Sequence, residues 1–414
     1  MAKALFLPVG IGLAHTGRLV MIARELEKKG FEVVFGAGTD ALDILKREKF
    51  HYHLLPEFER SVYEEKLKRH NPFIYSRRLI EKFVKAELAL YKKEKPNVIV
   101  YDWRLSVKVS ATITGIPVVS VTNVDASPYY DISRIRFPLQ TPLANVLPAR
   151  VISLLCSKYP HKFMRRVAPV VISSIFLMEI IRLSPALIRL GFRLSRDPYQ
   201  FFLGDLTLLC DIPEFRPVKK LPKNVKMIGP ISWDGGNKLP AWAKKISNLK
   251  NIIYVTAAGT GDKNTFFKTL VYLKNTDYTI VATTGNTLKP SEVKISYPSL
   301  YVTDYLPGDF IMPKAKLVIF PGGNSTAYQA LTYGVPQICI PFHIDQEDNA
   351  NNLERLKCGI TINPFTNFSN AMLLSAIGRI LVEKEYKNNA ERLKNVLANY
   401  SGAKKAAEEI VNFI

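Results

Sequence analysis

One stretch limits the possible folds more than any other, because an apolar run is followed at once by a glycine turn and a polar helix start. Leu317–Phe320 has the composition of a buried parallel strand, and the next residues favour a helix from Asn324 to about Tyr333. A glycine turn of this kind brings a helix N-terminus to the edge of a parallel sheet. Backbone N–H groups and the helix dipole then favour an anion, phosphate above all. The residues that line the predicted phosphate site are Gly322, Gly323, Asn324, Ser325 and Thr326.

The residues after the next predicted strand, Gln337–Ile340, add polar groups at the same edge of the sheet. We expect residues 343–349 to form a loop that carries carboxylates and amides, including Asp345 and Gln346. Such groups both donate and accept hydrogen bonds with hydroxyls, so they suit a sugar.

The chain opens with a βαβ pattern whose first turn carries Gly10, Gly12 and His15. A dinucleotide site is disfavoured, because His15 stands where the third glycine belongs and no acidic residue follows the second strand at the usual distance. Two interpretations of His15 remain open. It is either a helix cap or a general base, since an imidazole titrates near neutrality.

A second candidate lies at Asp102, directly after the predicted strand Pro96–Val100. Its place before the next predicted helix makes it a candidate N-cap. Residues 60–95 form a charged helical region that we interpret as a solvated face.

The long C-terminal pattern resembles the signature of the GT-B glycosyltransferases that use nucleotide sugars, the UDP-glycosyltransferase group. Two positions depart from that signature: its first His is Pro321 here, and its Glu before Ala is Gln329. Pro321 has no N–H to offer a phosphate, whereas Gln329 can still bind a ribose diol. The matching residues are Gly322, Gly323, Thr326, Ala330, Leu331, Gly334, Val335, Pro336, Pro341, Asp345, Gln346, Asn349 and Ala350.

The resemblance implies an α/β chain with two Rossmann-like domains, parallel sheets facing a cleft, and a C-terminal helix that crosses back. It implies an acceptor domain at 1–230, a nucleotide-sugar domain at 231–385, and helices at 386–414 that pack on the first domain through Ile410, Val411 and Ile414. It makes His15 the base and Asp102 its partner, with Gly10 and Gly12 in the acceptor loop. Donor contacts are expected from Gly259, Thr260, Tyr305, Leu306 and the residues of the C-terminal signature, although Tyr305 as plain packing is an equal alternative. No metal and no cofactor beyond the nucleotide sugar are expected.

The net charge of the chain indicates an anionic partner, since 57 Lys and Arg against 36 Asp and Glu give a formal charge of +21. Within it, residues 131–197 combine apolar runs with eleven cations, which suits amphipathic helices on an anionic bilayer. Ordinary helices with a solvated basic face are the alternative. Four widely spaced cysteines and a first strand in place of a secretion signal favour a cytoplasmic location, peripheral on the membrane.

Together these features predict an inverting, metal-independent glycosyltransferase that moves a sugar, expected to be carried by UDP, to a hydroxyl of a lipid or lipid-linked acceptor. A glycosyltransferase with a soluble acceptor and a nucleotide-sugar 2-epimerase share the predicted donor site, although residues 345–350 argue against the epimerase. A nucleic-acid-binding protein would explain the charge but not the signature, and no nucleic acid partner is expected.

Overall fold

The computed structural model describes residues 1–10, 13–68, 74–131, 161–233, 235, 239–247, 249, 251–285, 287–364 and 368–414. These residues form two compact units. The first contains the described residues of 1–131, 161–233 and 400–414, and the second contains those of 235–399. Gly12 and residues 132–160 of the predicted basic insert lie outside the described residues.

The first unit is built on a seven-stranded parallel sheet with the order β3-β2-β1-β4-β5-β6-β7. The chain leaves β1 toward one edge and returns to begin β4 on the other side of β1, which makes the gap between β1 and β4 the switch point of the sheet. Its strands are β1 (Lys3–Pro8), β2 (Glu32–Ala37), β3 (His51–Leu54), β4 (Val98–Asp102), β5 (Val118–Thr122), β6 (Leu206–Leu209) and β7 (Val225–Met227). Its helices are α1 (Leu13–Glu27), α2 (Leu42–Arg47), α3 (Arg60–Lys68), α4 (Arg77–Glu94), α5 (Ser106–Thr114) and α6 (His161–Arg189).

The second unit repeats the plan with six parallel strands in the order β10-β9-β8-β11-β12-β13, so its switch point lies between β8 and β11. Its strands are β8 (Ile252–Thr256), β9 (Thr279–Thr283), β10 (Leu300–Thr303), β11 (Ala315–Phe320), β12 (Gln337–Cys339) and β13 (Gly359–Thr361). Its helices are α7 (Ala243–Ile246), α8 (Lys263–Leu273), α9 (Gly308–Ile311), α10 (Asn324–Thr332), α11 (Ile344–Arg355), α12 (Asn370–Val382) and α13 (Lys384–Leu397). The α/β fold with two parallel sheets predicted from the sequence is confirmed.

Both sheets are covered by helices, which explains the apolar composition of their strands. Every residue of β4, β5 and β8 is buried, as expected for parallel strands with packed layers on both faces. Several helices begin where the sequence supplies a cap: Ser76 accepts from the Leu79 N–H at α4, and Asp262 accepts from the Thr265 N–H at α8.

The C-terminal residues divide between the two units, which differs from the predicted segment 386–414. Helix α13 belongs to the second unit and packs against α10 and α12, whereas only the last helix, α14 (Gly402–Phe413), belongs to the first unit, where it packs on α1. Ile410 is fully buried there, but Val411 and Ile414 are 38% and 51% exposed, so the packing face is completed by Ala406 and Ala407 instead. The pair at 406–407 lies one turn before Ile410 on the same helical face.

Two other expectations need correction. Residues 344–349 are not a loop, since they form the first turns of α11. The charged region 60–95 is not uniformly solvated, because Glu87 and Glu94 of α4 are buried. In the described part of the chain no helix is long and apolar enough to cross a membrane.

Candidate active site

The candidate site of the first unit lies at the switch point between β1 and β4. Strand β1 leads through the glycine turn into α1, and His15 is the third residue of that helix. Strand β4 ends at Asp102, which is in register with Pro8 of β1. The backbone carbonyl oxygen of Asp102 accepts the Val9 N–H at 2.9 Å. Since neighbouring parallel strands end at the same edge of a sheet, this topology brings together two residues that are 87 positions apart.

His15 and Asp102 form a direct side-chain pair. The His15 Nδ1 atom lies 2.9 Å from the Asp102 Oδ1 atom, which makes Nδ1–H the donor and leaves Nε2 as the basic nitrogen of the neutral ring. Asp102 is fully buried, whereas the His15 side chain is 26% exposed. The arrangement can therefore accept a proton at a solvent-accessible nitrogen while a buried carboxylate orients the ring.

The residue after Asp102 has an unusual backbone. Trp103 has a φ of +56°, a left-handed conformation that costs a bulky residue roughly 1–3 kcal/mol. Its ring lies 6.4 Å from the His15 ring and packs edge-to-face on Phe202 at 5.4 Å. We infer that the strained turn sets the direction in which Trp103 leaves β4 beside the histidine.

The turn after β1, which was predicted to be the acceptor loop, is supported by a buried ion network that the sequence did not indicate. The Gly10 N–H donates to Glu57 Oε2 at 2.7 Å, and a Cβ on Gly10 would lie 2.6 Å from the same oxygen, so the position requires glycine. Arg104, fully buried, donates to Glu57 Oε2 at 3.0 Å and to Glu87 Oε1 at 2.7 Å. Burial raises the pKa of Glu57, and Arg104 opposes that shift.

The candidate site of the second unit lies at the switch point between β8 and β11. Gly322 has a φ of +108°, and a Cβ there would lie 2.7 Å from the Gln346 carbonyl oxygen, so its glycine is structural. Gly323 has a φ of −63° and a Cβ there would meet no atom within 4 Å. Gly323 therefore leaves open space at the N-terminus of α10, although its backbone conformation does not require glycine.

The first turn of α10 begins beside that open space. The first intrahelical bond runs from the Ala327 N–H to the Gly323 carbonyl at 3.0 Å, so the N–H groups of residues 324–326 precede it. No side-chain cap closes this end of the helix. An anion is the natural ligand of such an end.

The loop after β8 lies against the start of α11. Gln346 Nε2 donates to Thr260 Oγ1 at 2.9 Å, and its Oε1 accepts the Phe342 N–H at 2.8 Å. Gln346 is only 1% exposed, so its amide joins the loop after β8 to the segment between β12 and α11 and does not reach outward. Gly259 resembles Gly323, because a Cβ there would meet nothing within 4 Å.

The remaining predicted donor residues differ in how accessible they are. Asp345 is 60% exposed at the start of α11, whereas Leu306 is only 3% exposed, which leaves its backbone rather than its side chain for a ligand. Tyr305 packs over Gly235, where a Cβ would lie 2.3 Å from the phenol oxygen. Gln329 lies over Gly308 at the start of α9, since a Cβ there would lie 2.8 Å from its amide carbon.

His343 lies beside Thr260 and Asp345, although the sequence indicated it only as part of a polar loop. Its Nε2 lies 3.5 Å from Thr260 Oγ1, and its Nδ1 lies 4.0 Å from Asp345 Oδ2. A histidine directly before the acidic first turn of α11 was the available signal. Within the described residues no group of three or more His, Cys, Asp or Glu side chains is placed to hold a metal ion.

Two parallel sheets in separate α/β units match the architecture of the GT-B glycosyltransferases. Residues 268–413 match the family model of the C-terminal domain of proteins like erythromycin biosynthesis protein CIII. The chain is 30% identical over 393 residues to a PGL/p-HBAD biosynthesis glycosyltransferase of Mycobacterium tuberculosis, covering 94% of this chain and 87% of that protein. It is 28% identical over 393 residues to a PGL/p-HBAD biosynthesis rhamnosyltransferase of Mycobacterium bovis, covering 94% and 83%.

Solved structures agree with this fold. Spinosyn forosaminyltransferase SpnP superimposes with a TM-score of 0.71 at 16% identity, covering 100% of this chain and 99% of that one. Glycosyltransferase VinC, solved in complex with DTDP, gives 0.68 at 15% identity with coverage of 100% and 99%. The chain belongs to the GT-B family of UDP-glycosyltransferase-like enzymes, and it is a glycosyltransferase.

Proposed function

We propose that this glycosyltransferase is an inverting, metal-independent enzyme that transfers a sugar from a pyrimidine nucleoside diphosphate to a hydroxyl group. The observation that carries the proposal is the pair formed by His15 Nδ1 and Asp102 Oδ1 at 2.9 Å, with Nε2 directed away from the carboxylate. A histidine held in this way is a general base.

The proposed reaction needs one proton transfer and one displacement. His15 Nε2 takes the proton of the acceptor hydroxyl while its oxygen attacks the anomeric carbon. The bond from that carbon to the diphosphate oxygen breaks, and the nucleoside diphosphate leaves with the bonding electron pair. Because attack and departure occur on opposite faces, the anomeric configuration inverts.

The leaving diphosphate is assigned to the N-terminus of α10. The N–H groups of residues 324–326 and the positive end of the helix dipole would bind its negative charge. Pro321 contributes no N–H, so the backbone of the following residues carries this task. We place the ribose near Gln329, and the sugar hydroxyls near Asp345, with Gln346 holding the loop around Thr260.

The identity of the donor follows from two lines of support. The sequence resemblance favours UDP, and VinC was solved with DTDP, so a diphosphate with a pyrimidine base is shared by both. The relative named as a rhamnosyltransferase favours a deoxysugar. A thermal-shift screen with UDP, dTDP, GDP and ADP tests this: we expect stabilisation by the pyrimidine nucleotides only. Equal stabilisation by all four would contradict base selection, and none by any would contradict the donor site.

The acceptor is proposed to be a lipid or lipid-linked hydroxyl reached by a protein lying on an anionic membrane surface. Helix α6 exposes one apolar face in its described part, with Val170, Leu177, Met178, Ile181 and Ile188 between 42% and 64% exposed. These positions recur at spacings of seven, one, three and seven residues, so they share a helical stripe. An exposed stripe of this length favours an apolar partner.

The neighbouring helix supplies the matching charge. Helix α4 packs against α6, and its exposed charged residues are all basic: Arg77, Arg78, Lys82, Lys85, Lys92 and Lys93. Its acidic residues are turned inward or paired, as Glu81 is with Arg189 at 2.6 Å. An apolar stripe beside a basic helix suits the interface of an anionic bilayer. The three described cysteines are free and buried, which supports a location in the reducing cytoplasm.

Vesicle sedimentation tests the membrane proposal. We expect binding to vesicles with anionic lipid, weaker binding as salt rises, and a several-fold loss of binding in an Ile181→Ser, Ile188→Ser variant. The matched control is Val271→Ser, Val382→Ser, since those residues of the second unit are 51% and 78% exposed. Equal loss in both variants, or binding that ignores lipid charge, would argue for a soluble acceptor.

A further inference from the structure

One turn after His15, the same helix carries a buried arginine directed at the catalytic carboxylate. Arg18 is 6% exposed, and its Nη1 atom lies 3.4 Å from Asp102 Oδ2. Neither atom has a hydrogen-bond partner among the described residues, so the contact is a buried ion pair. Asp102 is thereby held at both oxygens, with His15 on Oδ1 and Arg18 on Oδ2.

The other charges around Arg18 have partners elsewhere. Asp211 accepts Arg216 Nη1 at 2.8 Å and the Val124 N–H at 2.7 Å, and Asp125 Oδ2 lies 3.7 Å from Arg216 Nη2. The assignment of Arg18 to Asp102 is therefore the one that leaves each buried carboxylate beside a cation. Isolated buried charges are costly, which makes this pairing strongly preferred.

The charged groups around Arg18 favour a positive charge on His15, which is the charge that the proposed proton transfer creates. Two arginines, Arg18 and Arg216, face three aspartates, Asp102, Asp125 and Asp211. Burial raises the pKa of the nearby Cys210 thiol to about 12, so that group adds no charge near neutral pH. With a neutral His15 these described groups sum to one negative charge, and with an imidazolium they are balanced.

The Arg18 guanidinium stays protonated near neutral pH. Burial lowers the pKa of its guanidinium, but Asp102 and the neighbouring acidic groups raise it by more, so the pKa lies above its ordinary value. A permanent cation at this place keeps the Asp102 carboxylate an acceptor at Oδ1.

We infer that Arg18 is a positioning residue for the transfer reaction, acting on His15 through the second oxygen of Asp102. The inference rests on the proposed function of the His15–Asp102 pair. Without Arg18, the carboxylate loses the contact that fixes its plane, and the imidazole loses its orientation toward the acceptor. A displacement of this kind costs turnover rather than donor binding.

Steady-state kinetics with a double-mutant cycle provide the first test. We expect Arg18→Met to lower kcat on the order of tenfold to hundredfold, since a shift of about 1 Å in a reacting group has effects of that size. The KM for the donor should change less than about twofold, and Arg18→Lys should recover part of the loss. Added to Asp102→Asn, Arg18→Met should cost little more, because both act on one unit. Full additivity, or unchanged turnover in Arg18→Met, overturns the inference.

A titration of labelled histidine by NMR provides a test that needs no substrate. The His15 signals, assigned with His15→Ala, should show Nδ1–H bonded in the wild type, and their titration midpoint should move to higher pH in Arg18→Met because a positive charge has been removed. The charged and titratable groups that interact with Arg18 beside this pair are Asp102, Cys210, Asp125 and Asp211. Arg24→Met is the control, since Arg24 lies on the same helix but pairs with Glu48 and not with Asp102.

The outcomes separate the two hypotheses. A wild type that transfers no sugar, together with a shifted His15 titration in Arg18→Met, contradicts the proposed function but not the contact with Asp102. An unshifted titration in Arg18→Met, with the same melting temperature loss in Arg18→Met and Arg24→Met, contradicts the role of Arg18. If Arg18→Met does not fold, the same measurements on Arg18→Gln, which also removes the positive charge, decide between these results.

Discussion

The glycine at the start of α10 gives the most direct way to block the proposed phosphate site without disturbing the fold. A Cβ on Gly323 would meet no atom within 4 Å, and its φ of −63° is open to any residue. Gly323→Ala should therefore leave the free energy of unfolding unchanged or raise it by about 0.4–1 kcal/mol, through the lower entropy of the unfolded chain. The neighbouring Gly322→Ala should instead destabilise, because its φ is +108° and its Cβ would lie 2.7 Å from a carbonyl oxygen.

The cost to donor binding follows from the space that the methyl group takes. Hydrogen bonds from N–H groups to a diphosphate need donor–acceptor distances of about 2.7–2.9 Å. A methyl group in the open space before residues 324–326 would keep the phosphate from at least one of them. The loss of one charge-assisted hydrogen bond is about 1.5–3 kcal/mol, which corresponds to roughly a tenfold to 150-fold weaker affinity.

Isothermal titration calorimetry with the nucleotide that stabilises the protein best would measure this loss. Gly378→Ala is the matched control, since Gly378 also leaves its Cβ position open but lies in α12, away from the predicted donor residues. We expect normal affinity in Gly378→Ala and weakened affinity in Gly323→Ala, both with melting temperatures at or above that of the wild type. Wild-type affinity in Gly323→Ala would refute the assignment of the diphosphate to this helix.

Two further predictions concern the first unit. Asp102→Asn should lower kcat by about 10²–10⁴-fold while the donor KM stays nearly constant, because an amide no longer selects the tautomer that leaves Nε2 basic; steady-state kinetics check this, and an equal rise in KM would point to a binding role. Glu87→Gln should lower the free energy of unfolding by about 3 kcal/mol, since Glu87 is fully buried and accepts from Arg104, Ser106 and Ser110 at 2.6–2.7 Å. Denaturant unfolding checks it, with the surface variant Glu385→Gln, whose partner is Lys357, expected to change stability by less than about 1 kcal/mol.

The predictable part of the molecule is the part governed by local pattern. The glycine turn at 321–323 and the helix after it follow from the order of residues, and the observed helix α10 begins at Asn324 as expected. The pairing of His15 with Asp102 was implied by the family resemblance. Their distance of 2.9 Å follows from the adjacency of β1 and β4, whose ends lie at one edge of the sheet.

The buried charges required information that the sequence alone does not carry. Glu87 was assigned to a solvated face, although it lies at the helical spacing of Phe83, Leu90 and Tyr91 on the buried face of α4. That spacing was a usable signal for burial, but its partner Arg104 comes from the next strand–helix turn. Arg18 gave no signal of its pairing, because Asp102 reaches it only through the tertiary fold.

The C-terminal helices show a similar limit. Both α13 and α14 are amphipathic, so each pattern indicates one apolar face, but it does not tell which unit that face will cover. Helix α13 packs on α10, where Lys387 donates to the Gly334 carbonyl at 2.8 Å, whereas α14 packs on α1. Near the break at Ser401 and Gly402 the chain passes from the second unit to the first.

A paired assay of His15→Ala tests whether proton removal and donor binding belong to different units. Donor affinity is determined by calorimetry, and sugar transfer by product formation. We expect donor affinity within about twofold of the wild type and transfer reduced at least about a hundredfold, since general base catalysis contributes about 10²–10⁴. Transfer that persists in His15→Ala, or donor binding that is lost with it, would contradict the assignment of proton removal to His15 and of donor binding to the second unit.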